Sequence, residues 1–185
     1  MSSNSCCIKP ERGRRLCLIA ALGWLCCTLP VQAANWRDDL PQARLSGSGE
    51  LRWFGLQIYS ATLWSSTAPF DASQPFALEL TYARQISRAR LVQTSIDEIR
   101  RMSGARYTQA QYSHWQEWME QAFSDVNEGD QLIGVFLPGQ GCRFYNQTQL
   151  LAQVPDPDFA QAFFNIWLDP RSKDVQLRKH LTGVP

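Results

Sequence analysis

The feature that most constrains this chain is a change of hydrophobic period near residue 85. Phe76, Leu78, Leu80 and Tyr82 alternate with Ala77, Glu79 and Thr81, the period of a half-buried strand. Beyond them Ala89, Val92, Ile96 and Ile99 recur at helical spacing, and Arg88, Asp97, Arg100 and Arg101 are placed to face water. A second helix follows, opened by a capping box at Thr108 and Gln111, with Tyr112, Trp115, Met119 and Ala122 as its apolar stripe. The period then returns to two. Gln131 to Leu137 reads as a strand, stopped by Pro138-Gly139-Gln140-Gly141, and Cys142 to Tyr145 and Leu150 to Val154 read as short strands. Asp156 as N-cap and Pro157 at the first position open a third helix, with Phe159, Phe163 and Ile166 on its buried face. A last helix runs from about Lys173 to Leu181 and stops at Gly183. Ahead of all this, Asn35 to Gln42 reads as a polar lead-in and Arg44 to Trp64 as a first strand region. There Gly47, Gly49 and Gly55 indicate bends, bulges or close backbone approach. Strands, helix pair, strands, helix pair is an α+β order with an antiparallel sheet, not a series of βαβ units.

The first 33 residues have the three parts of a cleavable signal peptide. Lys9, Arg12, Arg14 and Arg15 form a basic start, Leu16 to Leu29 an apolar run, and Val31-Gln32-Ala33 a small-residue site with cleavage after Ala33. The run is shorter than the roughly 20 residues of a membrane span. The expected division is therefore 1–33 as signal peptide and 34–185 as one domain, periplasmic or secreted, with no membrane span after cleavage. Removing residues 1–33 takes away four basic residues and Glu11, so the net charge moves from +1 to −2. That balance does not suggest a nucleic-acid binder. Five cysteines go with the signal and Cys142 alone remains, so no disulfide within the mature chain is expected. At 152 residues the fold can stand on its core, since a chain of that size buries roughly 70% of its unfolded surface.

Motifs for metal or cofactor chemistry do not stand out. His114 and His180 have no Cys, Asp or Glu partners at metal-ligand spacing. There is no G-x-S-x-G and no phosphate-cradling glycine loop, and neither a metal nor a cofactor is expected. Asp125, Glu128 and Asp130 cluster in one turn and read as turn chemistry, not as a calcium site.

Several segments resemble one family in order. Gly47-Ser48-Gly49 and then Gln57-Ile58-Tyr59-Ser60-Ala61-Thr62-Leu63-Trp64 resemble the opening of the bacterial chalcone isomerase-like proteins. Asp125 to Asp130, Leu137 to Gly141, Asp158-Phe159 with Ile166-Trp167-Leu168, and Leu177 to Gly183 resemble later motifs of the same family. The resemblance spans about Leu45 to Gly183. It implies an open-faced β-sandwich, a long antiparallel sheet with helices packed on one face and a ligand cleft between them. In plant relatives that cleft cyclises a chalcone, and other relatives bind fatty acids.

The family's chemistry implies an arginine in the first strand region, eight residues before the motif tyrosine. Such a guanidinium stabilises a phenolate or enolate, or holds a carboxylate by its planar fork. Counting back from Tyr59 gives Leu51, and Arg52 is one place off. In an unbroken strand that offset turns the side chain to the other face. A bulge between Leu51 and Tyr59, where Gly55 sits, would bring Arg52 back. Arg52 and Tyr59 are the candidate ligand-binding residues, and Arg52 the one candidate for catalysis; Arg44, Arg84 and Arg143 are weaker anion anchors. The expected function is non-catalytic binding of a small amphipathic ligand such as a fatty acid. The alternatives are a chalcone isomerase-type intramolecular lyase and a ligand-free partner-binding module. An apolar cleft with one inward arginine favours ligand binding; hydroxyl and amide donors beside that arginine favour the enzyme. An exposed apolar patch with no cleft favours the partner module.

Overall fold

The computed structural model describes residues 35–183. The signal-peptide expectation for 1–33 lies outside the described residues. The elements in chain order are α1 (Trp36–Asp39), β1 (Arg44–Trp53), β2 (Leu56–Ser65), β3 (Phe76–Tyr82), α2 (Arg88–Ser103), α3 (Gln109–Ala122), β4 (Gln131–Leu137), β5 (Gly141–Tyr145), β6 (Leu150–Val154), α4 (Pro157–Leu168) and α5 (Val175–Thr182). The six strands form one antiparallel sheet in the order β1-β2-β3-β4-β5-β6. The architecture is α+β with an antiparallel sheet, as the order of periods implies, and the sheet is open with helices packed on it, as the resemblance implies.

Alternation decides which residues face the helices. Phe76, Leu78, Leu80 and Tyr82 of β3 enter the main core together with Val92, Ile96 and Ile99 of α2, and with Trp115 and Met119 of α3. Phe159, Phe163 and Phe164 of α4 and Leu177 and Leu181 of α5 complete that core. The caps read from the sequence form as expected. The Thr108 hydroxyl accepts from Gln111 N at 3.3 Å while the Gln111 side chain accepts from Thr108 N at 2.9 Å. The Asp156 carboxylate accepts from Phe159 N at 3.0 Å and, through its other oxygen, from the Trp115 indole at 3.0 Å. It therefore fixes the start of α4 and its docking on α3 together. The Asp125 carboxylate accepts from Arg88 N at 2.8 Å, and Asp130 from Asn127 N at 2.7 Å, which is local turn and cap chemistry. Cys142 is free and buried.

Two local readings change. The lead-in holds α1, whose Trp36 and the following Leu40 bury against Ala77, Ile133, Val135 and Tyr145 on the sheet face opposite the four longer helices. Asp39 ties it down, accepting from the Tyr145 hydroxyl at 2.6 Å and pairing with Arg143. A one-turn helix with two large apolar residues has no periodicity to read. The first strand region is two strands. Phe54 and Gly55 turn the chain with φ of 48° and 78°, the left-handed pair of a two-residue hairpin. Phe is outside the usual Asn/Gly chemistry of that turn, so the sequence conceals it.

Candidate ligand site

The hairpin decides where the candidate residues go. In β1–β2 pairing Leu51 stands opposite Tyr59, and Arg52 opposite Gln57, with Ile58 as the extra residue of a bulge. The bulge therefore exists, but on β2, and Leu51 keeps the helix-facing side with Tyr59, both packed against the main core. Arg52 points to the other side. Its guanidinium pairs with Glu50 at 2.8 Å and donates to Gly55 O at 3.2 Å, and it is largely exposed. The two sequence candidates are thus not brought together.

Tyr59 sits in an aromatic wall. Its hydroxyl accepts from the Trp167 indole N–H at 2.8 Å, and its ring meets Tyr82 edge-on at 6.1 Å. Part of Tyr59 remains at the surface while the hydroxyl is sunk beside Trp167. Burial, with smaller contributions from the Asp174 and Glu98 charges, pushes the hydroxyl well above the usual tyrosine range. Tyr82 is raised as well, by burial first. Neither phenol ionises near neutrality. Glu98 on α2 is buried and takes the Lys173 ammonium at 2.6 Å and the Arg101 guanidinium at 2.5 Å. Those two cations are therefore already matched by a carboxylate.

At the other end of the same strand pair lies a cleft of about 790 Å³. It is lined by the segments Pro41–Ser46 and Ser65–Phe70 and by Thr182 and Gly183. Here Ser46 is the extra residue of a second bulge, between Leu45 and Gly47. Across it the faces work out as follows. Gly47 pairs with core residue Leu63, Leu45 with Trp64 on the α1 side, and Arg44 with buried Ser65. Directly opposite residues share a face, so Arg44 is the arginine of β1 on the helix side. Among the described residues its guanidinium has no carboxylate partner. The Ser65 and Thr67 hydroxyls lie 3.0 Å apart on the same wall, and Leu45 and Phe70 supply apolar surface. The arrangement offers one cation, two hydroxyls and an apolar wall, which is the chemistry of an amphipathic anion. A smaller cavity of about 190 Å³ lies between the α2/α3 end and β4–β6, lined by Leu91, Phe123, Asp130 and Asn146 among others. Neither includes Tyr59 or Trp167.

Sequence reasoning kept Arg44 only as a weaker anchor. Its face depends on the Ser46 bulge, and nothing in Arg44 to Gly49 announces that bulge except the two glycines. No group of histidine, cysteine and carboxylate side chains able to hold a metal occurs among the described residues. No described helix is long and apolar enough to cross a membrane.

An open antiparallel sheet with one face under four helices, and a cleft at the end of its first strand pair, defines the class of fold. The family model described as chalcone isomerase-like matches residues 40–183, and the chain belongs to that family. One similar solved structure is the crystal structure of an Arabidopsis thaliana fatty-acid binding protein, with a TM-score of 0.59 and 9% identity over 82% of this chain and 89% of that one. At that identity the likeness is one of fold. No curated protein matches the chain by sequence.

Proposed function

We propose that this is an exported, non-catalytic member of the family that binds a small amphipathic anion such as a fatty acid. In this reading residues 1–33 are removed after Ala33, and residues 34–185 work in the periplasm or outside the cell as one domain. The observation that carries it is Arg44: a guanidinium without a carboxylate partner among the described residues, on the helix side of β1, at a cleft large enough for a lipid chain. The hydroxyls of Ser65 and Thr67 serve a headgroup, and Leu45, Pro69 and Phe70 a tail. The fatty-acid binding protein that shares this fold supports the same class of ligand.

The lyase reading draws less support. The family position falls on Leu51, which cannot stabilise an oxyanion, and Arg52 turns to the opposite face. Removing such a charge stabiliser costs about 10²–10³ in rate.

Native mass spectrometry of protein from the cell envelope of its host tests both halves. The chain should begin at or next to Ala34 and carry a fatty acid. Retention of Met1 rejects the export reading. Fatty-acid affinity should then fall about tenfold or more in Arg44→Ala, as for loss of one charge-assisted contact, and hold in Tyr59→Phe. The reverse order moves the site to the Tyr59–Trp167 wall. Absence of any fatty-acid binding by the wild type overturns the ligand reading.

A further inference from the structure

The β1–β2 hairpin ends in large apolar side chains that are exposed among the described residues. Trp53 is 63% exposed, Phe54 87% and Leu56 52%. Trp53 pairs with Leu56 across the hairpin and its ring meets that of Phe54 at 5.0 Å, tilted by 51°, so the three form one patch. By alternation Trp53 lies on the same side of β1 as Leu51, which packs against the core. The hairpin therefore carries the apolar face of the sheet out beyond the helices. Phe54 takes a left-handed conformation (φ 48°) at a turn position where Asn or Gly is unstrained. Among the described residues its ring meets that of Trp53, and the side chain is otherwise largely exposed. Neither burial nor turn chemistry accounts for this choice of residues.

Two guanidinium groups flank the patch. Arg52 is bound to Gly55 O at 3.2 Å, and Arg84 to Gln57 O at 3.0 Å, so each is fastened to hairpin backbone. Glu50 matches Arg52, while Arg84 has no carboxylate partner among the described residues. The tip is thus aromatic and aliphatic at its apex with a cationic shoulder. That is the complement of an anionic bilayer surface: apolar rings enter the headgroup region and arginines meet lipid phosphates.

We propose that the β1–β2 hairpin is a membrane-docking tip that inserts Trp53, Phe54 and Leu56 into the interface of an anionic bilayer. This goes beyond the ligand reading and does not depend on it, since the tip lies at the opposite end of the strand pair from Arg44.

The test is vesicle flotation with protein recovered from the cell envelope, so that the apolar run of residues 16–29 does not itself bind lipid. Mixed phosphatidylcholine–phosphatidylglycerol vesicles are compared with phosphatidylcholine alone. Wild type should float with the mixed vesicles. Trp53→Thr combined with Phe54→Asn should lose about tenfold or more in partition, the scale of two partly buried rings. Arg84→Gln should lose several-fold on mixed vesicles and little on phosphatidylcholine, roughly one basic residue's worth of surface attraction. Circular dichroism should show both variants folded, because every substituted side chain is exposed. Equal flotation of wild type and double variant, or no flotation of wild type, overturns the proposal. It is also overturned if wild type sediments as a dimer without lipid and the double variant as a monomer, since the tip is then an interface between two copies.

Discussion

Gly47 has no room for a methyl group. A Cβ there would stand 2.1 Å from His180 O and 2.4 Å from Leu181 O, both backbone atoms of α5. Gly49 meets the Leu177 and His180 side chains in the same way, at 2.8 Å and 3.2 Å. The Gly-Ser-Gly motif is therefore where a helix lies directly on a strand. Ser48 between them turns to the other face and is exposed. Gly47→Ala forces backbone against backbone, and overpacking of that kind costs about 1–3 kcal/mol, at the upper end here because neither carbonyl belongs to a flexible side chain. A fall in the urea midpoint with the slope unchanged would show it; a midpoint equal to wild type would mean that α5 does not sit on β1 as described. In the sequence the two glycines indicate a bend, a bulge or close approach, and the structure has close approach at both and a bulge beside Gly47. The partner in that approach was not legible, because α5 lies some 130 positions further along the chain and no local pattern links the two.

The β1–β2 hairpin shows how far an element can be read from its own residues. Tyr59 to Trp64 is plainly strand, and Leu51 shares the face of Tyr59 by standing opposite it on the neighbouring strand. The turn between them went unread because Phe54-Gly55 does not resemble Asn-Gly, the usual pair for left-handed geometry at both positions. Phe54→Asn should raise stability by about 1 kcal/mol, since an exposed side chain contributes little burial and Asn tolerates φ near 48°. A higher melting temperature would confirm it. A lower one would show that Phe54 packs in a way its exposure denies. The helices were easier. Caps at Thr108 and Asp156 and the left-handed stop at Gly183 are written in three or four adjacent residues and form as read. Two bulges, at Ser46 and Ile58, were not written locally; the first sets the face of Arg44, while the second lies on β2 and leaves Arg52 on the face that alternation from Leu51 gives it.

At the scale of the molecule, charge pairing gives the fold a particular response to acid. Burial alone would raise the Glu98 carboxyl, but hydrogen bonds and charge from Arg101 and Lys173 outweigh it and hold the group below its ordinary value near 4.5. A carboxylate depressed in the folded state adds stability above the unfolded value and loses it as pH falls through the folded one. Glu98→Gln should therefore be less stable than wild type at neutral pH. The two stability curves should draw together as pH drops below about 4.5. A constant gap across that range would remove ionisation of Glu98 from the account. Lys173 lies in the loop before α5 and Arg101 near the end of α2, so the cluster fastens the last helix to the first helix of the main layer. The sequence by itself determined the class of fold, the span and type of most elements, and membership of a family, because periodicity, caps and turn residues act over a few neighbours. It also determined that Leu51 occupies the family's arginine position. Only the tertiary structure decided that α1 covers the second face, that Arg52 turns away, and that Arg44 reaches the helix side beside a cleft. Those outcomes depend on strand register and on contacts between residues far apart in the chain. The face of Arg44 turns on the single-residue bulge at Ser46, whose only mark in the sequence is the neighbouring glycines.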